Sequence, residues 1–170
     1  EIANKANKVI LAKQEYQKAV DLAPGISWFY HAQGELYRQE NNLDLAQAKY
    51  QESLNLYPES FWSHLVLGEI YESMNKLYLA YQQYILASFG PRWAFSSDGK
   101  VALEKKLAIE IKQKEIIKDS LRKIKDLPND WEVRANLAKA YIVLGELDKA
   151  KEQYKLINEI LGKNGISVGG

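Results

Sequence analysis

Residues 30–58 read YHAQGELYRQENNLDLAQAKYQESLNLYP, and residues 64–91, starting 34 positions later, read HLVLGEIYESMNKLYLAYQQYILASFGP. The two stretches superimpose Gly34 on Gly68, Tyr37 on Tyr71, Ala46 on Ala80 and Tyr50 on Tyr84. The same slots return near the C-terminus as Ala138, Tyr141, Ala150 and Tyr154, and Ala12 and Tyr16 continue them toward the N-terminus. The four prolines, Pro24, Pro58, Pro91 and Pro128, are spaced by 34, 33 and 37 residues. Several unrelated residue types keeping one period mark a repeat architecture, in which each unit buries its apolar face against its neighbours.

Each unit reads as helix, turn, helix. Asn41-Asn42, Met74-Asn75-Lys76 and Gly145-Glu146 fall midway through their units, where a helix should stop and reverse. Leu43, Leu77 and Leu147 then restart an apolar stripe. Gly34 and Gly68 cost about 1 kcal/mol each in helix propensity relative to alanine, which is tolerable if a second helix packs closely there. The small Ala46, Ala80 and Ala150 are the expected partners at that contact. The tyrosines at 37, 50, 71, 84, 141 and 154 are expected to fill the space between stacked pairs, hydroxyl outward.

This pattern resembles the tetratricopeptide repeat, written W-x2-L-G-x2-Y, then A-x3-F, then a closing proline. The first full match is Tyr30, Gly34, Tyr37, Ala46, Tyr50 and Pro58. The second is Leu67, Gly68, Tyr71, Ala80 and Tyr84, with Pro91 one residue early. The last is Leu137, Ala138, Tyr141, Ala150 and Tyr154, without a closing proline. The resemblance implies an all-α fold, a right-handed α-solenoid of antiparallel helix pairs. The expected division is a half-repeat or capping helix at 1–26, full repeats at 27–60, 61–94 and 131–164, an irregular segment at 95–130 and a flexible tail at 165–170.

The irregular segment breaks the rule in two ways. Residues 92–100 collect Ser, Asp and Gly and read as a loop, with Ser96, Ser97 or Asp98 capping the next helix. From Val101 to Leu127 there is no Gly, Pro or Asn, although the period calls for a reversal near 111–113. A degenerate repeat with a poor turn competes with a single helix of about 40 Å. The single helix is the expected form, with Lys112–Glu115 solvated on every side for one turn. Residues 100–127 hold nine Lys/Arg against five Asp/Glu, and residues 27–94 hold four against seven. The basic stretch is read as a solvated helix face or as a contact for an acidic partner.

Composition narrows the function. The 170 residues carry 23 Lys/Arg and 22 Asp/Glu, a net of +1, which is not the surplus of a dedicated nucleic-acid binder. There is no cysteine, so disulfides, thiolate metal sites and cysteine nucleophiles are excluded. No apolar run is long enough to span a bilayer, and a soluble protein is expected. The chain opens on Glu1 in mid-repeat without a signal peptide, as an excised segment would. The two histidines, His31 and His64, come with no nucleophile or orienting third group at readable spacing. His64 reads as a packing residue, and His31 with Glu35 as an ordinary helix-face pair. No enzyme activity, metal or cofactor is expected.

The resemblance implies that the first helix of each pair lines a concave groove. Helical spacing then selects Trp28, His31, Ala32, Glu35, Arg38 and Gln39 in one repeat. It selects Trp62, Leu65, Val66, Glu69, Glu72 and Ser73 in the next, and Glu132, Ala135, Asn136, Lys139 and Ile142 in the last. Trp28 and Trp62 share a slot that the packing pattern does not need. Relatives that grip the acidic C-termini of heat-shock chaperones use Lys, Arg and Asn in this groove. Only Asn136 sits in a comparable slot here, and Glu35, Glu69 and Glu72 would repel a carboxylate. The expected site is therefore Trp28, His31, Glu35, Arg38, Trp62, Leu65, Glu69, Glu72, Asn136 and Lys139. It would take a basic or neutral protein segment with apolar anchors.

The leading expectation is a non-enzymatic protein–protein interaction scaffold. A regulatory or tethering appendage of a larger enzyme or membrane protein is the alternative that the mid-repeat start favours. A self-assembling array, joined through the open N-terminal repeat as a homo-oligomer, is the third. Partner, compartment and biological process are not legible.

Overall fold

The computed structural model describes residues 2–89 and 97–163. Among these residues the chain forms eight helices and no strand: α1 (Ile2–Leu22), α2 (Ser27–Gln39), α3 (Leu43–Leu56), α4 (Phe61–Ser73), α5 (Leu77–Ser88), α6 (Ser97–Asp126), α7 (Trp131–Val143) and α8 (Leu147–Lys163). Helices α2–α3, α4–α5 and α7–α8 are hairpins, and each element packs on the next along the chain, giving an all-α solenoid.

The hairpins reverse through residues in the left-handed region. Asn41 has φ 58°, Asn75 has φ 56° and Gly145 has φ 77°. Asn and Gly are the residues that accept this conformation at least cost. The next N–H then folds back on the closing helix: Asn42 to the Tyr37 carbonyl at 2.9 Å, Lys76 to Tyr71 at 2.8 Å and Glu146 to Tyr141 at 2.9 Å.

The prolines mark a second device. Tyr30, His64 and Arg134 occupy one slot and each bonds the carbonyl of the proline six residues earlier. The Tyr30 hydroxyl donates to Pro24 at 3.1 Å, His64 Nε2 to Pro58 at 2.9 Å, and Arg134 Nη2 to Pro128 at 2.8 Å. A carbonyl can only accept, so His64 carries its proton on Nε2. The same entry turns set the helix caps. Ser60 accepts from the Ser63 N–H, and Asp130 accepts from Glu132 and Val133 N–H. Ile26, in the equivalent slot before α2, offers no side-chain cap.

The glycine contact differs from the expectation. What closes over Gly34 is the ring of Tyr50, 2.8 Å from where a Cβ would stand, and over Gly68 it is the ring of Tyr84, rather than Ala46 or Ala80. The alanines are fully buried beside them. In the last hairpin the slot of these glycines holds Ala138, whose Cβ occupies the space. Tyr154, on the last described helix, stands 41% exposed and is not the core residue its spacing implied. Tyr37 and Tyr71 are half-buried.

α6 is one unbroken helix of 30 residues, about 45 Å long. Its first half packs Ala102 and Ile109 into the cluster of Phe61, Leu65, Tyr81 and Tyr84. Its second half sets Ile117 and Ile124 against Leu137 and Tyr141. Lys112–Glu115 is not solvated on every side, because Gln113 faces inward and is buried. The helix includes Ser97 and Asp98, whose side chains lie outside the described residues, so the expected cap falls there too. The rest of the expected loop, with Ser96, and the tail at 165–170 lie outside the described residues.

Candidate functional site

α2 and α4 lie side by side with one face of each open. Trp28, His31, Glu35 and Arg38 follow one another along α2 at helical spacing, and Trp62, Leu65, Val66 and Glu69 do so along α4. Together they line a groove of about 400 Å³. One end is aromatic. Trp28 is 57% exposed and Trp62 39% exposed. Trp28 stacks on His31 with ring centroids 5.1 Å apart, and Trp62 meets Phe61 edge-on at 5.2 Å.

His31 forms the floor. It is buried, its Nδ1 lies 3.1 Å from Ser63 Oγ on α4, and its ring edge meets Tyr50. Ser63 also contacts the hydroxyls of Ser53 and Ser60, so a short polar chain runs beneath the groove. Burial holds the His31 imidazole below its usual range against the opposing pull of Glu35. His31 is a neutral packing and linking group in this arrangement. His64 is likewise buried, between the Pro58 carbonyl and Gln83.

The other end is charged, and its carboxylates are already engaged. Glu35 accepts from the Tyr50 hydroxyl at 2.5 Å and from Arg38 at 3.0 Å. Arg38 reaches Glu69 at 3.7 Å. Lys105 of α6 reaches Glu69 at 3.9 Å and Glu72 at 3.2 Å, and Glu72 also accepts from the Tyr84 hydroxyl at 2.6 Å. The result is a ladder, Glu35–Arg38–Glu69–Lys105–Glu72, across α2, α4 and α6. Three carboxylates against two cations leave one net negative charge, not the bare acidic wall that the sequence implied.

Of the residues expected to form the site, Trp28, His31, Glu35, Arg38, Trp62, Leu65 and Glu69 meet in this groove. Glu72 extends the ladder at its edge. Asn136 and Lys139 do not join them; they line a separate cleft between α6 and α7. Ser63 and Lys105 were not anticipated. Ser63 could have been found as a hydroxyl in the slot of Phe29, one repeat on. Lys105 belongs to the basic stretch, but nothing in the sequence aims it at α4. Among the described residues no group of three or more His, Asp or Glu is placed to hold a metal ion. No helix among them is long and apolar enough to cross a membrane.

Comparison with known proteins agrees with the architecture. A family model for the tetratricopeptide repeat matches residues 29–60 and 132–160. A comparison with curated proteins finds no match. Two crystal structures of MamA align at a TM-score of 0.51. One is 14% identical over 98% of this chain and 90% of that chain, the other 16% identical over 96% and 95%. These likenesses concern the fold. YrrB, described as a TPR protein with an unusual peptide-binding site, aligns at a TM-score of 0.46 and 19% identity over 85% of this chain and 74% of that chain. The matched segments fall on the hairpins α2–α3 and α7–α8 of the all-α solenoid, and they mark these two hairpins as tetratricopeptide repeats.

Proposed function

We propose that this protein is a non-enzymatic protein–protein interaction module and that the α2–α4 groove receives a short segment of its partner. The observation that carries this reading is the pair Trp28 and Trp62. Two large aromatic side chains in the same slot of adjacent hairpins stand open to solvent over one groove. Exposed tryptophans over a concavity are the usual anchors of a protein interface. An apolar residue of the ligand would lie between the indoles. Neutral or basic flanks would run toward Glu35, Glu69 and Glu72, where the surplus negative charge disfavours an acidic segment. Basic flanks must compete with Arg38 and Lys105 for those carboxylates, so the apolar anchor carries most of the affinity.

The test is selection of ligands from a displayed library of random peptides on the intact chain. Selected peptides are expected to share an aromatic or aliphatic anchor. Each indole is expected to contribute ~2 kcal/mol or more, so Trp28→Ala with Trp62→Ala weakens binding on the order of a hundredfold or more. The melting temperature should be little changed, because the tyrosine–glycine contacts remain. Peptides that bind the double variant as well as the parent would show that the groove is not the site.

A further inference from the structure

Leu67 precedes Gly68, Leu137 precedes Ala138, and both leucines are fully buried. The residue before Gly34 is Gln33, and it too is buried, 5% exposed. The repeat pattern writes leucine in this slot, so the amide is particular to this chain. A buried amide lowers stability unless its donor and its acceptor both find partners. Only the donor does. Gln17 of α1 donates from Nε2 to Asp21 Oδ1 at 2.9 Å, and Gln33 donates from Nε2 to Gln17 Oε1 at 3.1 Å. The Asp21 carboxylate fixes the direction of this relay. It only accepts, so Gln17 turns its NH2 to Asp21 and its carbonyl to Gln33, and Gln33 must answer with its own NH2. What is left over is Gln33 Oε1, a buried acceptor with no donor among the described residues. Turning the amide over would set two carbonyl oxygens face to face. Glu146 Oε2 is also buried without a hydrogen bond, but Lys149 Nζ lies 2.7 Å from it.

Gln33 lines a pocket of about 230 Å³ together with Lys13, Gln14 and Gln17 of α1 and Tyr37 of α2. Gln33 and Tyr37 follow His31 and Glu35 by two residues each, so the pocket lies on another face of α2 than the tryptophan groove. Its size excludes most metabolites, whose pockets run to about 300–1,000 Å³, and suits one amino-acid side chain. The walls select the chemistry. Lys13 is paired with Glu40 and lies over the Tyr37 ring, 4.4 Å from its centroid. A cationic guest would meet the Lys13 ammonium. A carboxylate would set an acceptor against Gln33 Oε1. A primary amide satisfies both groups: its NH2 donates to Gln33 Oε1, its carbonyl accepts from Lys13 Nζ, and its methylenes lie along the Tyr37 ring.

We propose that this pocket receives the side-chain amide of a glutamine or asparagine from a partner protein. Gln14 stands exposed at the mouth, and a change of its rotamer admits the guest. The site is independent of the tryptophan groove, and neither needs the other to be occupied.

The experiment is titration of the intact, isotope-labelled chain with three probes: N-acetylglutamine N-methylamide, N-acetylglutamate N-methylamide and acetamide. The glutamine probe is expected to shift the side-chain amide signals of Gln33 and Gln17 and to leave the Trp28 and Trp62 indole signals in place. The glutamate probe has the same shape with an acceptor where the donor should be, and should bind about tenfold more weakly or worse. Acetamide lacks the chain atoms that lie along Tyr37 and should also bind more weakly. Gln33→Leu should lose the response to the glutamine probe. It should melt above the parent, since leucine removes an unmet buried acceptor and the exposed Gln17 can turn to water. The proposal is overturned if the glutamine probe leaves the Gln33 signals unmoved, as a pocket holding only water requires, or if the glutamate probe binds as well. Acetamide binding as tightly would make the occupant a free small amide and overturn the assignment to a partner. Gln33→Leu responding like the parent would overturn it too, and so would that variant melting below the parent, which would make the amide a structural group.

Discussion

The ring of Tyr84 lies against Gly68, in the space a Cβ would need. Its hydroxyl continues to Glu72 at 2.6 Å, so this one side chain ties α5 to α4 at two points. Gly68→Ala should therefore destabilise the fold, although alanine is the better helix former. Overpacking costs about 1–3 kcal/mol and outweighs a propensity gain of about 1 kcal/mol. Gly68→Arg should unfold the module. Urea unfolding of Gly68→Ala, Tyr84→Leu and the double variant checks this. The double variant should be more stable than the sum of the singles implies. Simple additivity would mean that the two residues do not collide.

Ile26 stands where Ser60 and Asp130 cap their helices, and it is largely exposed. Ile26→Asp should stabilise the protein by about 1 kcal/mol by satisfying an open N–H of α2. The melting temperature should rise by about 2–4 °C for a chain of this size. An unchanged or lower value would show that the Ile26 side chain has a packing role that outweighs the cap.

Stability should form a plateau in pH with an edge on each side. Burial, then the carboxylates they bond, push the Tyr50 and Tyr84 phenols well above the ordinary 10.0. The folded chain keeps protons that the unfolded chain gives up, so stability is whole below about pH 10 and falls as pH rises past it. Burial holds His31 below 6.5, so the unfolded chain takes up a proton first and stability declines as pH falls below that value. Burial alone would raise Glu72, but hydrogen bonds from Tyr84 and Lys105 hold it below 4.5. Its contribution is present above that value and is lost as pH falls through the lowered one. Denaturation midpoints across pH give the profile. Tyr50→Phe with Tyr84→Phe should flatten the alkaline edge, and an unaltered edge would place its origin elsewhere.

Asn75 holds φ 56° at the α4–α5 reversal. Asn75→Gly should fold normally. Asn75→Val should cost about 1–2 kcal/mol or more, because a β-branched side chain clashes with the backbone in the left-handed region. Equal melting temperatures for the two variants would show that the turn relaxes to another conformation.

The tryptophan groove was legible because helical spacing and a 34-residue period put Trp28 and Trp62 on one face, and periodicity is a property of the chain alone. The long α6 was legible for a related reason, since no residue between Val101 and Leu127 can break it cheaply. The partner of each glycine was not legible. The period says that Gly68, Ala80 and Tyr84 recur together, but which of the two fills the gap depends on a side-chain rotamer. The ion ladder was hidden for the same reason: Lys105 is 33 residues from Glu72 and lies on a helix that obeys no repeat. The proline-carbonyl contacts were missed because tyrosine, histidine and arginine share no property that a residue pattern records, except that each can donate a hydrogen bond.

A 30-residue helix without a break acts as a stiff strut. With α5 seated on its first half and α7 on its second, α6 fixes the pitch between the two groups of hairpins. A torque applied to α7 and α8 would reach α5 through the strut with little loss, because an α-helix resists twisting far more than a loop does. The yielding point is then the joint beyond its C-terminal end, the segment holding Pro128, where the chain leaves the helix after Asp126. Pulled from its two ends, this molecule should part at a joint and leave the strut whole.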